Sequence, residues 1–264
     1  LVALLRCDHT HAVGRLPVRE RTAEDVGRAH RPGDGIVEKT RKVHDDWICD
    51  FTFDDGRIQN IHLLDKRHLA RNRVQVIRQF EQPGTQANRY DVSILVNGLP
   101  LVVVELKNPA DLNADFESAW NQIQNYKAEI PQLFWFNLLN VISDGTVARY
   151  GSLTANFARH SRWRLLGGKK ADASLLELET LVRGLLEPAT LLDFFRGFVA
   201  YGGMDGGASF KIVAQWHQYH GVKKAVERAV GALLQRKDGK GGVIWFTQGS
   251  GKSLLALFYV MALR

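Results

Sequence analysis

The sequence of 264 residues contains little cysteine and no long apolar run. Its two cysteines, Cys7 and Cys49, form no disulfide framework and match no zinc-binding spacing, so a reducing compartment is expected. No apolar segment approaches the ~18 residues that cross a bilayer. The opening LVALLRCDHTHAVGR has no basic lead-in of a secretory signal. These absences exclude a disulfide scaffold and predict a cytoplasmic protein with no membrane partner.

The composition is otherwise that of a globular chain with excess positive charge. Hydrophobic residues make up 45% and charged residues 24%, enough for one large domain or two modest ones. The net charge of +7 favours an anionic partner, of which nucleic acid is the commonest. The chain starts at Leu1 and stops at Arg264, inside the helix that follows a predicted phosphate loop. We therefore expect a fragment of a longer protein.

Strand patterns dominate the chain from Trp47 to about Leu153. Runs of β-branched and aromatic residues between turn formers predict strands, and Asn97-Gly98 predicts a hairpin between two of them. One helix, near residues 114–129, interrupts the series. This order predicts a mixed α/β sheet flanked by helices. The predicted strands are WICDFTF, RIQNIHLLD, RVQVIRQF, RYDVSILV, PLVVVELK, FWFNLLNVIS and TVARYGSL.

The pattern changes after Trp163. The run Gly167-Gly168-Lys169-Lys170 predicts a linker, followed by helices near 174–186 and 189–195. A long amphipathic helix is predicted near 211–235, and then a short buried strand, VIWF, before the loop TQGSGKS. The predicted divisions are an α/β domain at 1–165, a helical linker at 166–210 and the beginning of a further domain at 211–264.

Two acids and a lysine occupy neighbouring strands of the predicted hairpin. Strand alternation places Glu105 and Lys107 on one face of PLVVVELK, and Asp91 lies on the preceding strand near the same end. Phosphodiester cleavage with Mg²⁺ needs carboxylates for the metal and a cation that activates water. A carboxylate on an apolar, buried strand is costly unless it is paired or metal-bound. The hairpin therefore predicts a metal-dependent nuclease site.

A shared metal site also restricts the hairpin register. Opposite residues of an antiparallel pair share a face, and a two-residue Asn97-Gly98 turn would set Asp91 opposite Val104. Asp91 would then lie on the other face from Glu105. We therefore predict either an odd-length turn, such as residues 97–99, or a β-bulge that shifts the register by one residue.

The segment RYDVSILVNGLPLVVVELKNP resembles the nuclease core of type I restriction enzymes, in their restriction (motor) subunit, a branch of the PD-(D/E)xK nucleases. The resemblance covers about residues 74–163 and includes a QxxxY element, QIQNY. It implies a PD-(D/E)xK nuclease-like sheet. It also implies that Asp91, Glu105 and the Leu106 carbonyl bind Mg²⁺ and that Lys107 activates water. Gln122 and Tyr126 would support the site or the DNA backbone.

The loop TQGSGKS has the composition of a phosphate cradle. Its glycines permit close backbone approach, its lysine faces the β- and γ-phosphates, and its hydroxyl binds Mg²⁺. An apolar strand before it and an apolar helix after it match the required context, although Phe246 replaces the first glycine of the strict motif. The predicted ATP-binding residues of the loop are Gly249, Ser250, Gly251, Lys252 and Ser253.

The preceding helix, AQWHQYHGVKKAV, resembles the segment before the phosphate loop of superfamily 2 helicases. That resemblance implies a glutamine that reads the adenine edge, with Gln218 as the first candidate and Gln215 as the second. It also implies the truncated start of a RecA-like P-loop domain. Hydrolysis of ATP is not expected from these residues alone, because the acidic motif and the arginine of that family are absent from the sequence.

Other residues remain open candidates. Many related nucleases use an acid on an early helix, for which three residues qualify: Glu20, Glu24 and Glu38. Two basic clusters either contact phosphates near the cleft or form solvated surface. Trp163 is either a core residue or a base-stacking one. The basic residues are Lys66, Arg67, His68, Arg71, Arg73, Arg78, Arg159, Arg162 and Arg164.

The favoured hypothesis is the amino-terminal part of a type I restriction subunit. It would cleave double-stranded DNA with Mg²⁺ after ATP-driven translocation, in complex with methyltransferase and specificity subunits, as the resemblance implies. One alternative is a P-loop ATPase fragment with an inactive DNA-binding α/β domain. Another is a non-catalytic DNA-binding module.

Overall fold

The computed structural model describes residues 35–46, 48–52, 56–65, 67–82, 88–108, 116–203 and 208–263. A five-stranded mixed sheet forms its centre, which confirms the predicted fold class. A helix and a separate two-stranded hairpin precede this sheet in the chain: α1 (Ile36–Asp46), β1 (Ile48–Thr52) and β2 (Ile58–His62). The sheet itself contains β3 (Val74–Gln82), β4 (Asn88–Val96), β5 (Leu99–Leu106), β6 (Leu139–Ser143) and β7 (Ala148–Gly151).

The sheet strands lie in sequence order, β3-β4-β5-β6-β7. Only β5 and β6 pair in parallel, since helix α2 (Phe116–Glu129) forms the crossover between them. The other neighbours pair antiparallel. The central strand β5 is buried at nearly every position, as its apolar sequence predicts.

Both faces of the sheet are covered by helices. Helix α2 buries Ala119 and Ile123 in a cluster that also contains Val103 and Ile142. The second face belongs to a larger cluster with two further helices, α3 (Glu177–Gly184) and α4 (Pro188–Gly197). Pro188 begins α4 as predicted, because its fixed φ suits the first helical turn and needs no N–H partner.

The segment predicted to be a linker is tightly packed. Gly167-Gly168 forms the turn of a short hairpin, β8 (Leu165–Leu166) with β9 (Lys169–Lys170). Helices α3 and α4 contribute Leu181, Phe194 and other fully buried side chains to the main core. The three domain limits stay predictions, but residues 177–200 belong to the same packed body as the sheet.

Two predicted elements near the carboxyl end were wrong. The long helix does not begin at Lys211, because a hairpin of β10 (Val199–Gly202) with β11 (Phe210–Val213) comes first. Helix α5 covers Trp216–Val230 and continues as one π turn, Gly231–Gln235. The apolar run VIWF is no strand, and Val243 and Trp245 are 92% and 84% exposed. A strand needs a hydrogen-bonding neighbour, and none of the described strands pairs with it.

Helix α6 (Lys252–Ala262) follows the phosphate loop and packs on α5. Its Leu255 and Phe258 belong to the main hydrophobic cluster. Across the described ranges, every helix is too short or too polar to traverse a lipid bilayer. The sheet, helices α3 and α4 and the phosphate-loop segment therefore share one core.

Candidate active site

Strand β5 brings Glu105 and Lys107 to one place at its carboxyl end. The Glu105 side chain is buried, 4% exposed, and Lys107 Nζ lies 2.9 Å from Glu105 Oε1. Burial raises the pKa of Glu105, whereas the hydrogen bond from Lys107 lowers it and the nearby charge of Asp91 raises it again. The site therefore holds a buried carboxylate between one cation and one like charge.

The hairpin contains the predicted β-bulge. Its turn is the two-residue Asn97-Gly98, yet the register shifts by one residue between Ile94 and Leu95. Beyond the shift Val92 pairs with Val104, so the next opposite pair is Asp91 with Glu105. The Leu106 N–H donates a 2.8 Å hydrogen bond to Asp91 Oδ2, which places the Asp91 carboxylate at the end of β5. The two acids thus lie on one face.

The QxxxY residues approach the same carboxylate from helix α2. The Tyr126 hydroxyl donates to Glu105 Oε2 at 3.2 Å, and Gln122 in turn hydrogen-bonds the Tyr126 hydroxyl. Burial and the Glu105 charge raise the pKa of Tyr126, so the phenol stays protonated and acts as a donor. Helical spacing of one turn places both side chains over the end of β5. Glu105 is therefore held by donors on both oxygens.

The sequence did not single out Tyr90, Trp120 and Lys127, which support this helix. The Tyr90 ring meets the Tyr126 ring edge-to-face at 4.6 Å. Trp120 Nε1 donates to the Ala155 carbonyl at 3.3 Å and Lys127 Nζ to the Leu153 carbonyl at 2.6 Å. Burial lowers the pKa of Lys127 to about 8. In the sequence, helical spacing places Trp120 and Lys127 on one face of this helix, and Tyr90 directly precedes Asp91.

The donor set fits Mg²⁺. Two carboxylates converge beside the Leu106 backbone, and a divalent cation between them would relieve the repulsion that raises the pKa of Glu105. Within the described ranges no cluster of three or more His, Cys, Asp or Glu side chains suits a metal. Backbone oxygen and water would therefore complete the coordination, which Mg²⁺ accepts.

Of the three early acids, Glu38 alone lies within the described residues. Glu20 and Glu24 lie outside the described residues. Glu38 is on α1, where its neighbours Ile36 and Val37 pack against the cluster that contains Tyr126. Its side chain is half-buried and bends back towards Gly35.

Most of the basic candidates lie away from the cleft. Of the described basic candidates, Arg78 alone, exposed on β3 and paired with Val92, is level with Asp91, and Lys66 lies outside the described residues. Arg162 forms an ion pair with Glu177 at 3.0 Å, and Arg164 lies over the Trp216 ring. Trp163 is 2% exposed and hence a core residue. The Arg67–Arg73 cluster adjoins the hairpin turn, at the opposite end of β5 from Glu105.

The phosphate loop adopts the glycine-dependent conformation that its sequence predicts. Gly249 and Gly251 have φ values of 79° and 74°, which disfavour any side chain. Ser250 Oγ donates to the Thr247 carbonyl at 2.8 Å, and Ser253 is exposed in the first turn of α6. Lys252 Nζ donates to the Thr247 carbonyl at 3.1 Å. Lysine, glycines and hydroxyls thus lie together at one helix start.

Of the two glutamine candidates, Gln218 contacts the loop itself. Gln218 is 3% exposed, and its amide donates to the Gly251 carbonyl at 3.2 Å. Its oxygen accepts from the Gln215 N–H at 2.9 Å, in a capping box at the start of α5. Adenine reading by Gln218 or Gln215 stays a prediction, because it requires these bonds to open.

A cavity of about 400 Å³ adjoins the phosphate loop. Its walls include the backbone of Gly249 to Gly251 and, from the sheet side, Thr154 and Arg159. Arg159 therefore lines the cavity at the phosphate loop.

Comparison with known proteins matches two regions. Residues 8–159 match the family described as type I restriction enzyme R protein N terminus, and residues 217–264 match the SWI2/SNF2 ATPase family. The HindI type I restriction enzyme endonuclease subunit of Haemophilus influenzae is 42% identical over 210 residues, 78% of this chain and 20% of that protein. The EcoprrI endonuclease subunit of Escherichia coli is 48% identical over 168 residues, 62% of this chain and 53% of that protein.

A more distant similarity extends to an archaeon. The putative MjaIXP endonuclease subunit of Methanocaldococcus jannaschii is 29% identical over 224 residues, 75% of this chain and 21% of that protein. The chain therefore spans about a fifth to about half of the length of these relatives.

Proposed function

Because the chain belongs to the family of type I restriction enzyme R protein N termini, we propose that it is the endonuclease part of such an enzyme and cleaves phosphodiester bonds of double-stranded DNA. The observation that carries the proposal is Glu105, buried at a strand end with Lys107 and Tyr126 on its two oxygens. Burial of an ionised carboxylate in this position costs free energy unless the group is paired or binds a metal. The endonuclease subunits of the relatives support the same reading.

In the proposed reaction Asp91 and Glu105 would hold Mg²⁺, and the Leu106 carbonyl would add a further oxygen ligand. The bound ion would supply the charge that polarises the phosphodiester and lowers the pKa of an attacking water. Lys107 orients that water and stabilises the developing negative charge. Tyr126, held by Gln122, favours the ionised form of Glu105 by donating to it.

The second part of the proposal concerns the phosphate loop. Gly249, Ser250, Gly251, Lys252 and Ser253 would hold the phosphates and Mg²⁺ of ATP, and Gln218 would read the adenine. The match of residues 217–264 to the SWI2/SNF2 ATPase family supports the start of an ATP-driven motor. Cleavage would follow translocation in the cytoplasm, within a complex of methyltransferase and specificity subunits.

The test is plasmid nicking with Mg²⁺ by the complex assembled from the full-length subunits. Asp91→Ala, Glu105→Ala and Lys107→Ala are each expected to reduce nicking at least ~100-fold while circular dichroism and thermal unfolding still show a folded protein. Glu227→Ala removes an exposed acid from α5 and should leave nicking unchanged. Wild-type nicking by any of the three variants removes that residue from the proposed site.

A further inference from the structure

The basic residues at the hairpin turn form a surface that the nuclease site does not use. Asp65 and residues 67–73, together called the basic loop below, expose Arg67, His68, Arg71 and Arg73. The Asn97 N–H donates to the Arg73 carbonyl, and the Arg73 N–H donates to Asn97 Oδ1, each at 2.8 Å. These two hydrogen bonds attach the loop to the hairpin turn. Strand β5 then runs about 20 Å, at ~3.3 Å per residue, before it reaches the buried acid of the site.

The loop is rigid because two asparagines organise it. Asn72 donates to the Asp65 and Leu69 carbonyls and accepts from the Asp65 N–H and the Asn97 amide, all within 3.0 Å. Asn97 also donates to the Leu63 carbonyl at 2.9 Å. Leu63 is buried in the core beneath the loop. The exposed side chains therefore project from a fixed backbone, which reduces the entropy lost on binding.

The charge of the loop is largely uncompensated. Within the described part of the chain, Arg67 and Arg73 form no ion pair, and Asp65 is the one acid that approaches Arg71, at 3.8 Å. The Arg71 side chain is 72% exposed. The described loop residues also expose no large apolar side chain, since Leu69 packs against the core. Charge without apolar area suits a phosphate backbone better than a protein interface.

From this geometry we infer that the basic loop binds the DNA phosphate backbone about six base pairs from the scissile bond, at ~3.4 Å per base pair. The carboxylates and the basic loop lie at opposite ends of the β4–β5 hairpin, so a duplex held at both would cross the protein surface between them. The loop would hold the substrate without reading its sequence, since phosphates carry none. The inference rests on the proposed nuclease function.

The experiment measures binding of this chain to a fluorescent duplex of about two helical turns, in EDTA, over a series of salt concentrations. The test variant is Arg67→Gln with Arg71→Gln and Arg73→Gln. We expect weaker binding at low salt and a salt slope smaller by about 2 to 3, because each phosphate contact adds ~0.9. The control, Lys169→Gln with Lys170→Gln and Lys224→Gln, removes equal charge from exposed positions elsewhere and should keep the slope.

The double variant Arg67→Gln with Arg71→Gln leaves Arg73, whose backbone bonds Asn97, and should lower the slope by about 1 to 2. Loop variants that bind DNA as tightly as the wild type overturn the inference. If those variants no longer bind the purified partner subunits, the surface is a protein contact instead. An equal loss in the lysine control also overturns it, because net charge then explains the effect. Nicking by the wild-type protein is measured separately. If the wild type does not cleave DNA but the loop variants still lower the salt slope of binding, only the proposed function is refuted.

Discussion

The Tyr126 hydroxyl donates to Glu105 Oε2 at 3.2 Å, while Lys107 Nζ lies 2.9 Å from Oε1 of the same carboxylate. One donor comes from helix α2 and the other from β5, so the crossover helix and the central strand fix Glu105 jointly. Donors on both oxygens favour the ionised form that burial alone would disfavour.

Tyr126→Phe should reduce Mg²⁺-dependent nicking about 10- to 100-fold, because the hydroxyl supports Glu105 without replacing it. Loss of a donor to the carboxylate raises the pKa of Glu105 further, so the acidic limb of the rate profile should move to higher pH. Nicking rates of the full-length complex over a pH series measure both effects. Tyr259→Phe on α6 is the matched control. An unchanged acidic limb would contradict this role.

Lys252→Ala should abolish ATP binding and translocation-dependent cleavage in the full-length protein, since lysine faces phosphate in such loops. Binding of Mg²⁺ at the nuclease site should persist, because Lys252 bonds only the Phe246 and Thr247 carbonyls of its own loop. Calorimetric titrations with nucleotide and with metal separate the two effects. Lys240→Ala, exposed in the same segment, should alter neither. Weaker Mg²⁺ binding in Lys252→Ala would refute two independent sites.

Asn97 combines a left-handed backbone, φ 53°, with three side-chain hydrogen bonds. Asn97→Gly keeps the conformation and loses the bonds, so we expect the free energy of unfolding to fall by about 1–3 kcal/mol. Asn97→Ala also requires an alanine in the left-handed region and should cost about 1 kcal/mol more. Urea unfolding measures both, and Asn125→Ala at an exposed site of α2 serves as control. Equal stability of the alanine and glycine variants would show that the backbone is not strained.

Burial lowers the pKa of Lys211 from 10.5 to about 7. Between those values the unfolded chain holds a proton that the folded protein lacks, so stability rises with pH by up to ~1.4 kcal/mol per unit. Lys127, whose pKa is lowered to about 8, contributes a pH dependence of stability with the same sign. The pKa of Tyr90 is raised to about 12, so its titration reverses the trend at higher pH. Urea unfolding is therefore measured between about pH 7 and about pH 9.5, below that range.

Lys211→Met should therefore flatten that pH dependence, leaving the share of Lys127. The absolute stability also changes, because the lysine donates to the Asn137 carbonyl, which loses its partner. Only the slope tests the buried charge. Lys169→Met, at an exposed position of β9, should keep the wild-type slope. A wild-type slope in Lys211→Met would show that Lys211 titrates normally.

The hairpin shows how far the sequence could be taken. Alternation placed Glu105 with Lys107, and the need to bring Asp91 to the same face required an irregular register. The structure contains that irregularity at Ile94 and Leu95, one of the two solutions that the sequence allowed. Which solution occurs depends on packing of β4 between β3 and β5, and no local residue pattern encodes it.

The sequence by itself determined the strand–helix–strand order and the glycine loop, and it indicated the acid, acid and lysine of the candidate site, because each depends on alternation or backbone freedom within a few residues. The QxxxY residues were assigned to that site by the family resemblance. Tertiary structure alone decided that VIWF stays exposed, that Arg159 adjoins the phosphate loop, and that the cluster from Arg67 to Arg73 lies at the far end of the hairpin from Glu105. These outcomes depend on which distant segments meet, and burial and hydrogen bonding across the whole fold select those meetings.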